Sequence, residues 1–118
     1  MKQYHEPVEY LDKEAEDFTR ALNSLKEEVE AVDWYHQRVV ASDNPELKAI
    51  MAHNRDEEIE HAVMTLEWLR RNMDKWDEEM QTYLFKEGNI TELEDEAMSG
   101  EESSTTEKGD SLNIGDLK

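Results

Sequence analysis

One long helical stripe, interrupted once, constrains this chain more than any other feature. Leu11, Ala15, Phe18, Leu22, Leu25, Val29, Val32 and Val39 recur at three- and four-residue steps. That spacing is one face of an amphipathic α-helix, which Pro7 is placed to start. Ser42-Asp43-Asn44-Pro45 then breaks the stripe with capping side chains and a proline suited to a first helical turn. A second stripe follows through Leu47, Met51, Ala62, Leu66, Leu69, Met73, Trp76 and Met80. It outruns a typical globular helix, so a break is expected near Asn72-Met73-Asp74, leaving a short helix to about Phe85. A short turn between two long helices makes them antiparallel neighbours. The expectation is an all-α chain: an antiparallel two-helix hairpin plus a short C-terminal helix, within residues 1–98.

Composition says what such a hairpin needs and what it excludes. Of 118 residues, 37% are charged and 36% hydrophobic, so one hairpin buries a modest core and gains by associating. The formal net charge of −18 argues against nucleic acid and anionic membrane, which reward clustered Lys and Arg. Cations are the natural small partners of this surface. Cysteine is absent, which rules out disulfides and thiolate metal sites and fits a reducing cytoplasm. Met1-Lys2-Gln3-Tyr4-His5-Glu6 lacks the apolar stretch of a signal peptide. No apolar run approaches the roughly 18 residues of a membrane span.

The chemistry changes after Gly88. Residues 99–110 contain no apolar side chain and read as a disordered polar linker. Residues 111–118 regain Leu112, Ile114 and Leu117, as a short docking peptide on a polar tether would. Leu112 and Ile114 alternate, like side chains of an extended peptide entering successive pockets, with Leu117 for a further one.

Candidate chemistry lies in Glu58-Ile59-Glu60-His61, a Glu-x-x-His pair. At i and i+3 on a helix both side chains project from one side, so imidazole and carboxylate can share a metal ion. At about 100° per residue, Glu58 falls inside the apolar arc of the second helix, with His61 at its edge. Glu28 falls inside the arc of the first. An inward carboxylate is costly unless compensated, and a cation is one compensation. Arg55, on the same arc as Glu58, is the rival: a Glu–Arg pair would serve equally. Asp33-x-x-His36 is a competing pair in which His36 faces inward, read as a structural or interface histidine. His53 lies on the polar face and is expected to be solvated. Tyr35 either hydrogen-bonds a metal ligand or packs in the core or an interface. Trp34 points away from the stripe, on the side of Glu27 and Glu30, as a second protein interface would require. Glu27 and Glu30 are either a solvated face or an outer site that draws cations inward.

Ligand count favours the metal. Di-iron carboxylate bundles take one Glu from each of two helices and a Glu-x-x-His from each of two others. One chain here offers half that set. Two copies about a two-fold axis would supply two Glu28, two Glu58 and two His61, and would turn two helices into a four-helix bundle.

These residues together resemble the encapsulated ferritins. The stretch Glu27-Glu28-Val29-Glu30-Ala31-Val32-Asp33-Trp34-Tyr35 is similar to their first-helix signature. The stretch His53-Asn54-Arg55-Asp56-Glu57-Glu58-Ile59-Glu60-His61-Ala62, followed by Met64-Thr65-Leu66-Glu67-Trp68-Leu69-Arg70-Arg71, is similar to the second. The likeness extends from about His5-Glu6-Pro7 to Tyr83-Leu84-Phe85. The last eight residues resemble a cargo-loading peptide for an encapsulin shell, with Asp116 where a Ser is more usual. The resemblance implies a ferritin-like fold whose homodimer interface forms a di-iron ferroxidase centre from Glu28, Glu58 and His61, with Tyr35 nearby. It implies an outer metal site at Glu27, Glu30 and Trp34, and dimers associated into a ring, a decamer. The implied metal is Fe, with Ca or Zn able to occupy the same sites. The implied activity is oxidation of Fe²⁺ by O₂ inside a cytoplasmic encapsulin nanocompartment, where the shell holds the mineral. A non-catalytic acidic metal-binding cargo protein and a rubrerythrin-like di-iron peroxidase are the alternatives. The chain has no rubredoxin-type cysteines for the latter.

Overall fold

A computed structural model of the chain describes residues 4–103, with side chains through Ser99. A 3-10 turn at Val8–Tyr10 precedes helices α1 (Lys13–Ala41), α2 (Pro45–Asn72), α3 (Asp74–Tyr83) and α4 (Ile90–Ser103). The described residues contain no strand, and the architecture is all-α, as a ferritin-like helical fold requires. None of the described helices is long and apolar enough to cross a membrane.

Local chemistry sets each boundary. Pro7 opens the 3-10 turn rather than α1, its carbonyl accepting from Tyr10 N–H at 3.0 Å. The helix starts later because Asp12 caps it, one carboxylate oxygen accepting from Ala15 N–H at 2.8 Å. At the hairpin turn Ser42 N–H donates to the Arg38 carbonyl and ends α1. Asn44 then caps α2 by accepting from Leu47 N–H at 3.0 Å, with Pro45 in the first turn. Glu46 near the N-terminus of α2 and Arg70 and Arg71 near its C-terminus suit the helix dipole. The expected break is present: Met73 is extended, with φ −138° and ψ 104°, and its N–H donates to the Leu69 carbonyl at 2.9 Å.

The chain divides into two compact units, one through Asp74 and one from Lys75. In the first, α1 packs against α2 as the expected hairpin. Its fully enclosed core is thin: Ala62 and Leu69 are its buried residues among those described. Phe18 and Trp68 meet edge to face with ring centroids 5.8 Å apart, a favourable aromatic geometry. Part of the apolar stripe stays wet, with Leu22 at 40%, Val29 at 56% and Leu47 at 46% exposure, and Val63 and Met64 beside it are exposed too.

In the second unit, Phe85 (φ 58°) and Gly88 (φ 96°) turn the chain in the left-handed region between α3 and α4. Asn89 Oδ1 accepts from Thr91 N–H at 3.0 Å at the start of α4. Leu93 is this unit's buried core residue, and burial raises the Tyr83 phenol pKa. The fourth helix was not expected from the sequence. Its Glu, Leu, Ala and Met residues over 92–98 favour helix, and Leu93 and Ala97 stand one turn apart. The helix runs on to Ser103, so it enters the stretch read as linker. Residues 104–110 of that stretch, and the peptide 111–118 with Leu112, Ile114 and Leu117, lie outside the described residues.

Candidate metal centre

Glu28 sits mid-way along α1, half-buried against α2. Its carboxylate accepts a hydrogen bond from Thr65 Oγ1 of α2 at 3.1 Å. Glu58 and His61 lie one turn apart on α2, with His61 Nδ1 3.4 Å from Glu58 Oε1. The Glu58 side chain is 28% exposed and that of His61 44%, so this pair lies at the rim of the hairpin. Thr65 Oγ1 also lies 3.1 Å from the His61 carbonyl oxygen. One hydroxyl therefore spans the Glu28 carboxylate and the His61 backbone.

The cations go elsewhere. Arg55 Nη1 reaches His36 Nδ1 on α1 at 3.0 Å, and its Nε donates to Asp56 at 3.0 Å. The Glu–Arg55 pair that rivals a metal is thus not formed. Among the described residues no Lys or Arg pairs with Glu28 or Glu58. The same contact links His36 of α1 to α2. A guanidinium only donates, so the imidazole nitrogen facing it accepts. His36 is thereby a cross-helix tie between α1 and α2 in this chain.

Tyr35 is half-buried, with the Arg38 guanidinium 5.2 Å from its ring centroid. Among the described residues its hydroxyl makes no hydrogen bond to Glu28, Glu58 or His61 within the single chain. Glu27, Glu30 and Trp34 are all exposed, as expected for one outer face of α1. At i, i+3 and i+7 they share a side of the helix.

A second grouping was missed in the sequence. Ligand atoms of Glu57, Glu60 and His61 lie within 4.8 Å of one another on the outer side of α2. His53, expected to be merely solvated, pairs with Glu57 through Nε2 at 2.7 Å. The i, i+4 spacing of His53 and Glu57 was the available signal. His61 belongs to both groupings, facing Glu58 on one side and Glu57 and Glu60 on the other.

The donors are carboxylates and imidazole with no thiolate, a set that suits iron and also manganese or zinc. Glu28 and Glu58 fit a metal in a further respect. Both are half-buried, and their partners are a neutral hydroxyl and an imidazole. Residues 3–87 match the EncFtn-like family model, which spans both long helices and this whole residue set. The chain belongs to the EncFtn-like family. It is 58% identical to a ferritin-like protein of Thermotoga maritima, over 91% of this chain and 94% of that protein. It is also 58% identical to an encapsulated ferritin-like protein of Rhodospirillum rubrum, over 97% of this chain and 86% of that one. A crystal structure of a Nitrosomonas europaea protein superposes with a TM-score of 0.73 at 54% identity, covering 75% of this chain and 98% of that one. Family membership brings a ferritin-like, iron-related function.

Proposed function

We propose that two copies of this EncFtn-like chain form a di-iron ferroxidase centre across a two-fold axis, each contributing Glu28, Glu58 and His61. The observation that carries this reading is a pair of half-buried carboxylates that no Lys or Arg among the described residues neutralises, beside a histidine. A half-wet apolar stripe supports association, because covering it stabilises a chain whose own core is thin.

Fe²⁺ is the substrate. Carboxylates from both chains hold two ions close together, and His61 adds an imidazole to each. Each Fe²⁺ gives one electron to O₂, and Fe³⁺ leaves toward the mineral. Tyr35 supplies a phenol that hydrogen-bonds a ligand carboxylate in the assembled site. Glu27, Glu30 and Trp34 form the outer site where Fe²⁺ is captured before it moves inward. The net charge of −18 raises the local cation concentration, most strongly at low salt. Dimers associate into a ring of ten chains. The peptide 111–118, through Leu112, Ile114 and Leu117, docks that ring inside an encapsulin shell, in the cytoplasm. The name of the Rhodospirillum rubrum relative supports the encapsulated setting. Ca or Zn can occupy the same oxygen and nitrogen ligands.

Replacing Glu28 by Ala tests the centre. Rapid oxidation of Fe²⁺, followed by ferric absorbance in air, is expected to disappear while the helical circular dichroism persists. Parental rates in that variant refute the assignment. Parental Fe²⁺ binding without ferric absorbance in the unmodified protein identifies a metal buffer, and faster turnover with H₂O₂ than with O₂ identifies a peroxidase.

A further inference from the structure

The proposed centre has ligands on both helices, yet among the described residues only one hydrogen bond fixes the ligand on α1. That bond runs from Thr65 Oγ1 to Glu28 Oε1 at 3.1 Å. We propose that Thr65 is a positioning residue for Glu28, holding one carboxylate oxygen so that the other is free for the metal ion. The proposal rests on the reading of Glu28 as a ligand.

A threonine hydroxyl has a single proton and here two acceptors at 3.1 Å, the Glu28 carboxylate and the His61 carbonyl one turn back. The proton is shared between these two acceptors or passes from one to the other, and back-bonding to the i−4 carbonyl is an option open to threonine in a helix. The hydroxyl thus meets the carboxylate across the helix pair. Glu28 needs such a device, since a long side chain otherwise samples many rotamers. Thr65 orients without neutralising. An Arg in its place would compete with the ion for the carboxylate charge, and two arginines of the hairpin are engaged elsewhere. Arg20, which lines the same open groove as Thr65, pairs with Asp17 at 2.7 Å. Arg55 pairs with His36 and Asp56. The fallback acceptor also matters. If both Glu28 oxygens turn to metal, the proton returns to the His61 carbonyl, so the carboxylate can change its mode of binding without stranding a donor.

The test compares Thr65→Val, which keeps the shape and loses the hydroxyl, with Thr65→Ser, which keeps the hydroxyl. The probe is Co²⁺, titrated into the full-length proteins by calorimetry and visible absorption. Thermal melts of the metal-free proteins check that both variants fold. Thr65→Val is expected to weaken Co²⁺ binding about tenfold or more, a typical loss for an outer partner of a metal ligand, and to alter the visible bands. Thr65→Ser is expected to bind within a fewfold of the parent. If Thr65→Val binds like the parent while Glu28→Ala loses the ion, the positioning role is wrong and the ligand assignment stands. Equal losses in Val and Ser also overturn it, because the hydroxyl would not be the cause. If Glu28→Ala itself binds Co²⁺ like the parent, the ligand assignment fails and takes this proposal with it.

Discussion

Replacing Met64 by Asp should separate the two chains while sparing the hairpin. Met64 precedes Thr65 on α2 and lines the open groove of about 490 Å³ that Thr65 also borders. It is 58% exposed in the single chain, so more than half of its burial remains to be gained. Fully burying a Met side chain is worth roughly 1.5–3 kcal/mol, so the remainder is about 1–1.7 kcal/mol. Two-fold symmetry counts it twice, giving about 2–3.5 kcal/mol across the dimer. At 1.4 kcal/mol per decade, the dimer Kd rises about 30- to 300-fold from lost burial alone. The new carboxylates add repulsion between chains that each carry −18. The hairpin itself should change little, since surface substitutions usually stay within about 0.5 kcal/mol. Sedimentation velocity over a concentration series reads the dimer, and circular dichroism reads the helices. The same experiment at higher salt should tighten the parental dimer, because screening weakens the repulsion. A Met64→Asp protein that dimerises at parental concentrations would refute the burial of Met64 between the two chains. Retained helicity with a monomer unable to oxidise Fe²⁺ would support the need for two chains.

Other perturbations test separate parts. Leu69 is fully buried at 0% exposure, and Leu69→Ala should cost about 2–5 kcal/mol in the stability of the unit through Asp74, read by urea titration. A loss under about 1 kcal/mol would mean that the thin core is not what holds α2. Glu67 accepts hydrogen bonds from Arg70 and Arg71, which hold its carboxyl at about 2 rather than 4.5. A depressed folded pKa contributes stability above pH 4.5 that is lost as pH falls toward about 2. The side chain is 38% exposed, so solvent screening limits the contribution to roughly 1 kcal/mol. Glu67→Gln should therefore melt lower than the parent at neutral pH, with the gap closing as acid protonates the parent. A gap that survives to about pH 2 would show that charge is not its source. Deleting residues 111–118 should leave Fe²⁺ oxidation intact and abolish co-purification with an encapsulin shell. Loading that persists without those residues would sink the docking role.

The hairpin was legible because its signals are local. Capping side chains at Asn44, a proline at 45 and a two-helix stripe each act within a few residues, and they agree. The start of α1 shifted because Asp12 offered a better cap than Pro7 offered a start. Helix α4 was missed because a 14-residue segment with few apolar side chains shows little periodicity. Leu93, its buried anchor among the described residues, marks a packing partner that no spacing rule reveals.

The site divides in the same way. Inward carboxylates at Glu28 and Glu58 followed from the helical wheel, because the angle of a residue on its helix is set by sequence position alone. The destination of Arg55 did not. It shares an arc with Glu58 one turn away, and a flexible side chain of that length can reach several acceptors. Only the packing of α1 on α2 brings His36 Nδ1 to 3.0 Å and decides the matter. The consequence is electrostatic. An Arg on Glu58 would neutralise its charge, and under the proposed function Fe²⁺ would have to displace a cation already in place. With Arg55 tied to His36 and Asp56, no Lys or Arg among the described residues sits on either carboxylate, and their partners are a hydroxyl and an imidazole. Those partners orient without competing. The same two helices could have used these residues as an internal ion-pair network to stabilise a single hairpin. Diverting Arg55 forgoes that stabilisation, and under the proposed function the charge left over is what draws the metal and the second chain together.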